Sequence, residues 1–192
     1  MTFANGNRAV FLDRDGTINI EKNYVHRIQE WEWISGSMDA IRTLNKSGFL
    51  VIVVSNQSGI ARGKYSPADV NLLHSQIVQE LAMEGGSIDD FYFCPHHPEY
   101  GSVRDCACRK PKPGLLMEAS AKWRVDLSRS WMIGDKLIDV QAGMAAGAES
   151  ILVRTGHGER EKSLINDGQS VADSLLVAVN EVILPAMNNT RT

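Results

Sequence analysis

Residues Ala9-Val-Phe-Leu12 form an unbroken apolar run that ends in Asp13-Arg14-Asp15-Gly16-Thr17. A run this short and this apolar reads as a strand buried on both faces, which a parallel sheet covered by helices provides. The carboxyl ends of such strands are where open α/β sheets bind their ligands. Two carboxylates placed there are costly unless a cation lies between them. The stretch is therefore either a surface Asp-Gly turn or part of a metal-assisted site, and the other strand ends must decide between them.

The same alternation runs down the chain. Apolar, β-rich runs are expected to form strands at 49–54, 90–93, 130–133 and 151–153. Between them lie helix signals: one from Ser37, stopped by Gly48, and one opened by Ser66-Pro67 and running to Met83. Others cover 113–123 and a small-residue stretch ending at Ala146, and a last one is expected over 171–183, before Pro185. Strands separated by helices imply βαβ units and a mainly parallel sheet. At 192 residues the chain has the length of one compact domain. Its polar end, from Asn188, is expected to fray.

The net charge of -3 argues against non-specific nucleic-acid binding, which needs a basic footprint. No apolar run approaches the ~20 residues that span a bilayer, and the first residues lack an export signal. A cytoplasmic location without membrane contact is expected.

The loops after the first, second and fourth strands carry Asp13 and Asp15, then Ser55-Asn56-Gln57, then Gly134-Asp135-Lys136. In a parallel sheet all three lie on one edge. Asp13, Asp15 and Asp135 offer the hard oxygen ligands that Mg²⁺ prefers. With the metal bound, one aspartate is able to attack phosphorus while another handles the leaving group's proton. Taken singly, each Asp-Gly or Gly-Asp pair is equally an ordinary turn. Ser55 is suited to an oxyanion or to a plain post-strand turn, and Lys110 to a phosphoryl group or to a solvated surface. Glu21-Lys22-Asn23-Tyr24 adjoins the aspartates in sequence and is a candidate substrate loop.

All three cysteines fall between 94 and 108, in Cys94-Pro95-His96-His97 and Cys106-Ala107-Cys108. Three thiolates and an imidazole are a complete tetrahedral set for structural Zn²⁺. His97 is an alternative to His96, and a reactive pair at Cys106 and Cys108 is an alternative to zinc. A closed four-ligand site has no open position, so its role is architectural. His26, His74 and His157 read as surface or structural histidines, and Trp31 and Trp33 as packing beneath their loop.

Together, Asp13-Arg-Asp-Gly-Thr17, Ser55, Lys110 and Gly134-Asp-Lys-Leu-Ile-Asp139 resemble the four motifs of the haloacid dehalogenase superfamily of phosphohydrolases. More narrowly, FLDRDGTIN, YVH, SNQSGIARGKY, CPHHP, CRKPKPG and IGDKLID resemble the zinc-loop branch that contains the heptose-1,7-bisphosphate 7-phosphatases. The resemblance covers about Val10 to Gly156. It implies a Rossmann-like parallel sheet flanked by helices, no large cap domain, and a zinc loop beside the active site. It also implies Mg²⁺-dependent removal of the 7-phosphate of a heptose bisphosphate for surface-glycan precursors, and a monomer.

By position, the resemblance makes Asp13 the nucleophile and a Mg²⁺ ligand, and Asp15 the general acid and base, which reaches the metal through its carbonyl. Asp135 completes the magnesium ligands. Ser55 and Lys110 hold the phosphoryl group, and Arg109 recognises the sugar. Glu21 to Tyr24, Ser55 to Ser58 and Lys136 line the pocket, and Cys94, His96, Cys106 and Cys108 bind zinc. Two other readings stay open: a histidinol-phosphate phosphatase from the same branch, and a non-catalytic zinc-stabilised binding module on the same fold.

Overall fold

The computed structural model of the chain describes residues 6–189. Residues 1–5 and 190–192 lie outside the described residues; of the end expected to fray from Asn188, residues 188–189 instead close the last helix.

Six strands, β1 (Ala9–Leu12), β2 (Leu50–Asn56), β3 (Asp90–Cys94), β4 (Trp131–Gly134), β5 (Glu149–Val153) and β6 (Ser170–Ala172), form one parallel sheet. Its order is β3-β2-β1-β4-β5-β6. β1 lies between β2 and β4, with Phe11 level with Ile52 on one side and Met132 on the other. The strand order therefore reverses at β1, and the crevice beyond its carboxyl end is where such sheets bind ligands.

The apolar run of β1 is explained by its two cores. Val10 and Leu12 pack with Ile41, Leu44 and Ile77 on one face of the sheet, and Ala9 and Phe11 with Leu116, Ala119 and Met132 on the other. All four strand residues are fully buried. Helices α1 (Ser37–Lys46), α2 (Pro67–Met83), α3 (Gly114–Trp123) and α4 (Leu137–Ala146) fall where the sequence signals place them. Ser66 opens α2 in a capping box with Asp69, each side chain bonded to the other's backbone N–H. Trp31 and Trp33 pack edge to face, 5.1 Å between ring centroids, as expected of residues folded under their loop. The longest links, 13–36 and 95–113, hold no cap-sized insertion. No helix among the described residues is long and apolar enough to cross a membrane.

The last expected helix is displaced. Val171 belongs to β6, whose three residues pair with β5, and helical structure begins at Leu175 after the Ser174 side chain caps Val177 N–H. It also passes through Pro185, in contiguous segments Leu175–Val177, Ala178–Ile183 and Leu184–Asn189. A proline ring in a regular α-helix presses on the carbonyl four residues earlier and lacks its own N–H. Here the middle segment is a π-helix, with Leu184 N–H reaching back to the Val179 carbonyl, and this wider winding accommodates the ring.

Candidate active site

Three strand ends and one helix start build the site. Asp13 leaves β1 with its N–H held by the Ile133 carbonyl of β4 at 2.8 Å. Asp135 follows β4. Asp139 lies in the first turn of α4, where its Oδ2 accepts from Lys136 N–H at 3.1 Å. Carboxylate oxygens of Asp13, Asp135 and Asp139 come within 4.8 Å of one another, and all three residues are buried.

Lys110 enters this cluster from the irregular segment before α3. Its Nζ lies 2.6 Å from Asp13 Oδ1 and 2.7 Å from Asp139 Oδ1, and donates to the Val54 carbonyl at 2.7 Å. Burial works against the ammonium charge, but the two aspartates outweigh it and hold the lysine pKa above its ordinary value. Lys110, even with the more distant charge of Lys136, does not balance three buried carboxylates. Burial and the charge of Asp13 push Asp135 up to about 8, and burial raises Asp139 to about 6 despite Lys110.

The deficit marks a place for a divalent cation. Asp135 Oδ2 accepts from His157 N–H at 2.7 Å, while its buried Oδ1 has no hydrogen-bond partner. Gly16 and Gly156 close around this carboxylate. A Cβ on either would fall 2.2 Å from Asp135 Oδ2, and both glycines have positive φ (+89° and +56°). Hard oxygens and an unpartnered Asp135 oxygen fit Mg²⁺.

Asp15 is not a member of this cluster. Its carboxylate accepts from Arg14, Asn19 and Gln57, and it lines the pocket together with Asp13, Lys110 and Asp139. Of the expected substrate residues, Glu21, Asn23, Tyr24, Asn56, Gln57, Ser58 and Lys136 line the same pocket. Three do not. Lys22 pairs with Glu32 at 2.7 Å, Ser55 lies buried with its Oγ accepting from Gln57 Nε2 at 3.3 Å, and Arg109 donates to the His96 carbonyl at 3.0 Å. Sequence reasoning gave no role to Asp139, Arg14 or Tyr65. Asp139 carried a signal, since it stands three residues after Lys136 at a helix start, as a capping acid does. His74 is buried and stacked on Phe91, a structural position, whereas the His157 backbone belongs to the site.

The cysteine loop folds into a second cluster. Cys94 Sγ lies 3.7 Å from Cys106 Sγ and 3.3 Å from Cys108 Sγ. His96 Nδ1 lies 3.8 Å from Cys94 Sγ and 3.4 Å from Cys108 Sγ. Sulfurs bound to one Zn²⁺ at about 2.3 Å stand about 3.8 Å apart, so these separations approach those of a tetrahedral site. His97 is not in the cluster; its ring meets Arg62 at 2.9 Å and Glu99 N–H at 3.1 Å. Cys108 leads within two residues to Lys110, so whatever holds this knot also anchors the lysine.

Comparison with known proteins agrees with this geometry. Residues 107–178 match the HAD-hydrolase-like family model. The chain is 46% identical over 173 residues to the D-glycero-beta-D-manno-heptose-1,7-bisphosphate 7-phosphatase of Escherichia coli (strain K12), covering 88% of this chain and 87% of that one. It is 42% identical over 176 residues to the protein of the same name from Haemophilus influenzae, covering 90% and 93%. Its structure is similar to that of D,D-heptose 1,7-bisphosphate phosphatase from B. bronchiseptica complexed with magnesium and phosphate. The TM-score is 0.84 at 33% identity, covering 93% of this chain and 99% of the other. The chain therefore belongs to the heptose-1,7-bisphosphate 7-phosphatase family of HAD-like hydrolases.

Proposed function

We propose that this chain is a Mg²⁺-dependent phosphatase that removes the 7-phosphate of D-glycero-β-D-manno-heptose 1,7-bisphosphate in nucleotide-heptose biosynthesis. The observation that carries this reading is the buried contact of Asp13 with Lys110 beside two further carboxylates at the sheet edge. The β anomer follows the names of the relatives.

Asp13 is the nucleophile. Its free carboxylate oxygen attacks phosphorus, the bond from phosphorus to the sugar oxygen breaks, and Asp15 gives that oxygen its proton. Asp15 then takes a proton from the water that attacks the aspartyl-phosphate, releasing Asp13 and inorganic phosphate. Lys110 holds phosphoryl oxygens, and the Ser55 hydroxyl joins it only by leaving its contact with Gln57. Asp13, Asp135 and the Asp15 carbonyl hold Mg²⁺, which when bound draws charge from the phosphoryl oxygens. Glu21, Asn23, Tyr24 and Lys136 face the sugar; Lys22 and Arg109 join them only by leaving their present partners.

Cys94, His96, Cys106 and Cys108 hold a structural Zn²⁺ that fixes the segment carrying Lys110. Free thiols used as metal ligands suit a reducing compartment, which supports a cytoplasmic location, and the monomer is the state that the family resemblance implies.

The test is phosphate release by wild type and Asp13→Asn from the α and β 1,7-bisphosphates and from histidinol phosphate, with Mg²⁺ present. The expected result is preference for the β bisphosphate and loss of turnover in the variant. Substantial turnover by Asp13→Asn refutes the covalent mechanism. Preference for histidinol phosphate refutes the substrate.

A further inference from the structure

Arg14 is a fully buried arginine between the two motif aspartates. Its Nη2 lies 2.8 Å from Asp15 Oδ2 and 3.1 Å from Oδ1, and its Nε lies 3.1 Å from Oδ2. The same Nη2 meets the Val25 carbonyl at 2.6 Å and Gln57 Oε1 at 3.4 Å. Asp15 receives two more donors, Asn19 Nδ2 on Oδ1 at 3.1 Å and Gln57 Nε2 on Oδ2 at 3.2 Å. Gln57 is itself oriented, because Tyr65 O–H donates to its Oε1 at 2.7 Å.

Stability does not explain this arrangement. A buried ion pair is commonly replaced by apolar side chains of similar volume without loss of stability. What an arginine adds is a planar fork that fixes the plane of a carboxylate. The Val25 carbonyl pins that fork to the loop whose preceding residues, Asn23 and Tyr24, line the pocket.

We propose that Arg14 is a positioning residue that sets the Asp15 carboxylate in the pose from which it hands a proton to the leaving group. The inference rests on Asp15 being the acid and base of the proposed reaction. As the phosphorus–oxygen bond breaks, its electron pair goes to the leaving oxygen, and the Asp15 proton moves onto that oxygen. An alkoxide needs this proton, whereas p-nitrophenolate carries its charge without one. Loss of Arg14 therefore slows formation of the aspartyl-phosphate from alkyl phosphates and spares that step with aryl phosphates, whereas the later hydrolysis, which also uses Asp15, slows for both; the split in the first step is one that a general structural defect does not produce.

The test compares Mg²⁺-loaded wild type, Arg14→Lys, Arg14→Met and Asp15→Asn on the heptose bisphosphate and on p-nitrophenyl phosphate. For the bisphosphate, kcat is expected to fall about 100-fold in Arg14→Met and about 10-fold in Arg14→Lys, which keeps the charge but loses the fork. The first-step rate with p-nitrophenyl phosphate, read as the single-turnover release of p-nitrophenol, is expected to stay within about 3-fold of wild type, while the same rate for the bisphosphate falls with kcat. Equal losses of first-step rate on both substrates, or unchanged bisphosphate turnover, overturn the inference. If Arg14→Met does not fold, Arg14→Lys decides alone; failure of both to fold makes Arg14 a stability residue and likewise overturns it. Asp15→Asn separates the two claims. Without a first-step loss confined to the bisphosphate in that variant, the role given to Asp15 fails. With it, but with neither Arg14 variant selective, only the Arg14 inference fails.

Discussion

Lys110 Nζ and Asp13 Oδ1 meet at 2.6 Å across 97 positions of sequence, both residues buried at the foot of the pocket. The ammonium is the cation that the buried carboxylates contact directly. Removing one partner of a buried pair typically costs about 3–5 kcal/mol, because the other charge is left unpaired. Lys110→Met is expected to destabilise the metal-free protein by about that amount at pH 8, measured by urea unfolding, and to abolish measurable phosphatase turnover. Added Mg²⁺ is expected to recover part of the stability and none of the turnover.

The carboxylates make the benefit of the metal depend on pH. Asp135 and Asp139 titrate in the fold near 8 and 6, above the ordinary carboxylate value of 3.8. The folded chain thus holds protons that the unfolded chain has released, and stability of the metal-free protein is lost from these groups as pH rises from about 4 to about 8. Mg²⁺ replaces those protons. The gain in Tm on adding Mg²⁺ is expected to be small at pH 5 and largest at pH 8, a comparison that calorimetry makes directly.

His74 works in the opposite sense. Burial lowers its pKa from 6.5 to about 3, so it stays neutral in the fold, stacked on Phe91 at 4.1 Å. Its contribution is fully present above pH 6.5 and is lost as pH falls toward 3, at about 1.4 kcal/mol per pH unit. His74→Leu is expected to unfold less readily than wild type below pH 5, with activity at neutral pH unchanged. An unaltered acid limb in the variant would count against this.

Gly156 and Gly147 both have positive φ, but only Gly156 faces the site. A methyl group at Gly156 meets Asp135 Oδ2 and the Gly16 backbone, while at Gly147 it meets open space. Gly147→Ala is expected to cost about 1 kcal/mol of backbone strain and leave kinetics alone. Gly156→Ala is expected to cost more than that and also to raise the Mg²⁺ concentration needed for half-maximal activity, read from a metal titration.

The cysteine knot is expected to bind about one zinc per chain, measured by elemental analysis of purified protein. Cys108→Ser is expected to lower both zinc content and Tm, and to reduce kcat through the displaced Lys110, whereas His97→Ala is expected to leave zinc content unchanged.

The strand ends were legible because β1, β2 and β4 are buried on both faces and announce themselves as apolar runs. Asp13 and Asp135 follow those runs directly. Asp139 lay on a helix start, where an acid is as readily a cap, and the structure makes it both cap and lysine partner. Lys22 and Arg109 were read from their place in a motif, but sequence does not say which way a long side chain turns. β6 escaped notice because Ser170-Val-Ala172 is too short for a periodic signal and forms through its pairing with β5. The helix across Pro185 escaped because local rules end a helix there, and a change of winding overrode them.

The sheet order also bears on how the chain is made. β1 leaves the ribosome well before β4, which covers one of its two edges and begins only at Trp131. Synthesis at about 5–20 residues per second leaves that apolar edge unpaired for roughly 6–24 seconds. Such an edge is a template for association with other chains. Nascent chains of this protein thus have a time window in which a holdase chaperone is able to protect the strand that leads into Asp13, and the phosphatase centre assembles only after β4 has emerged.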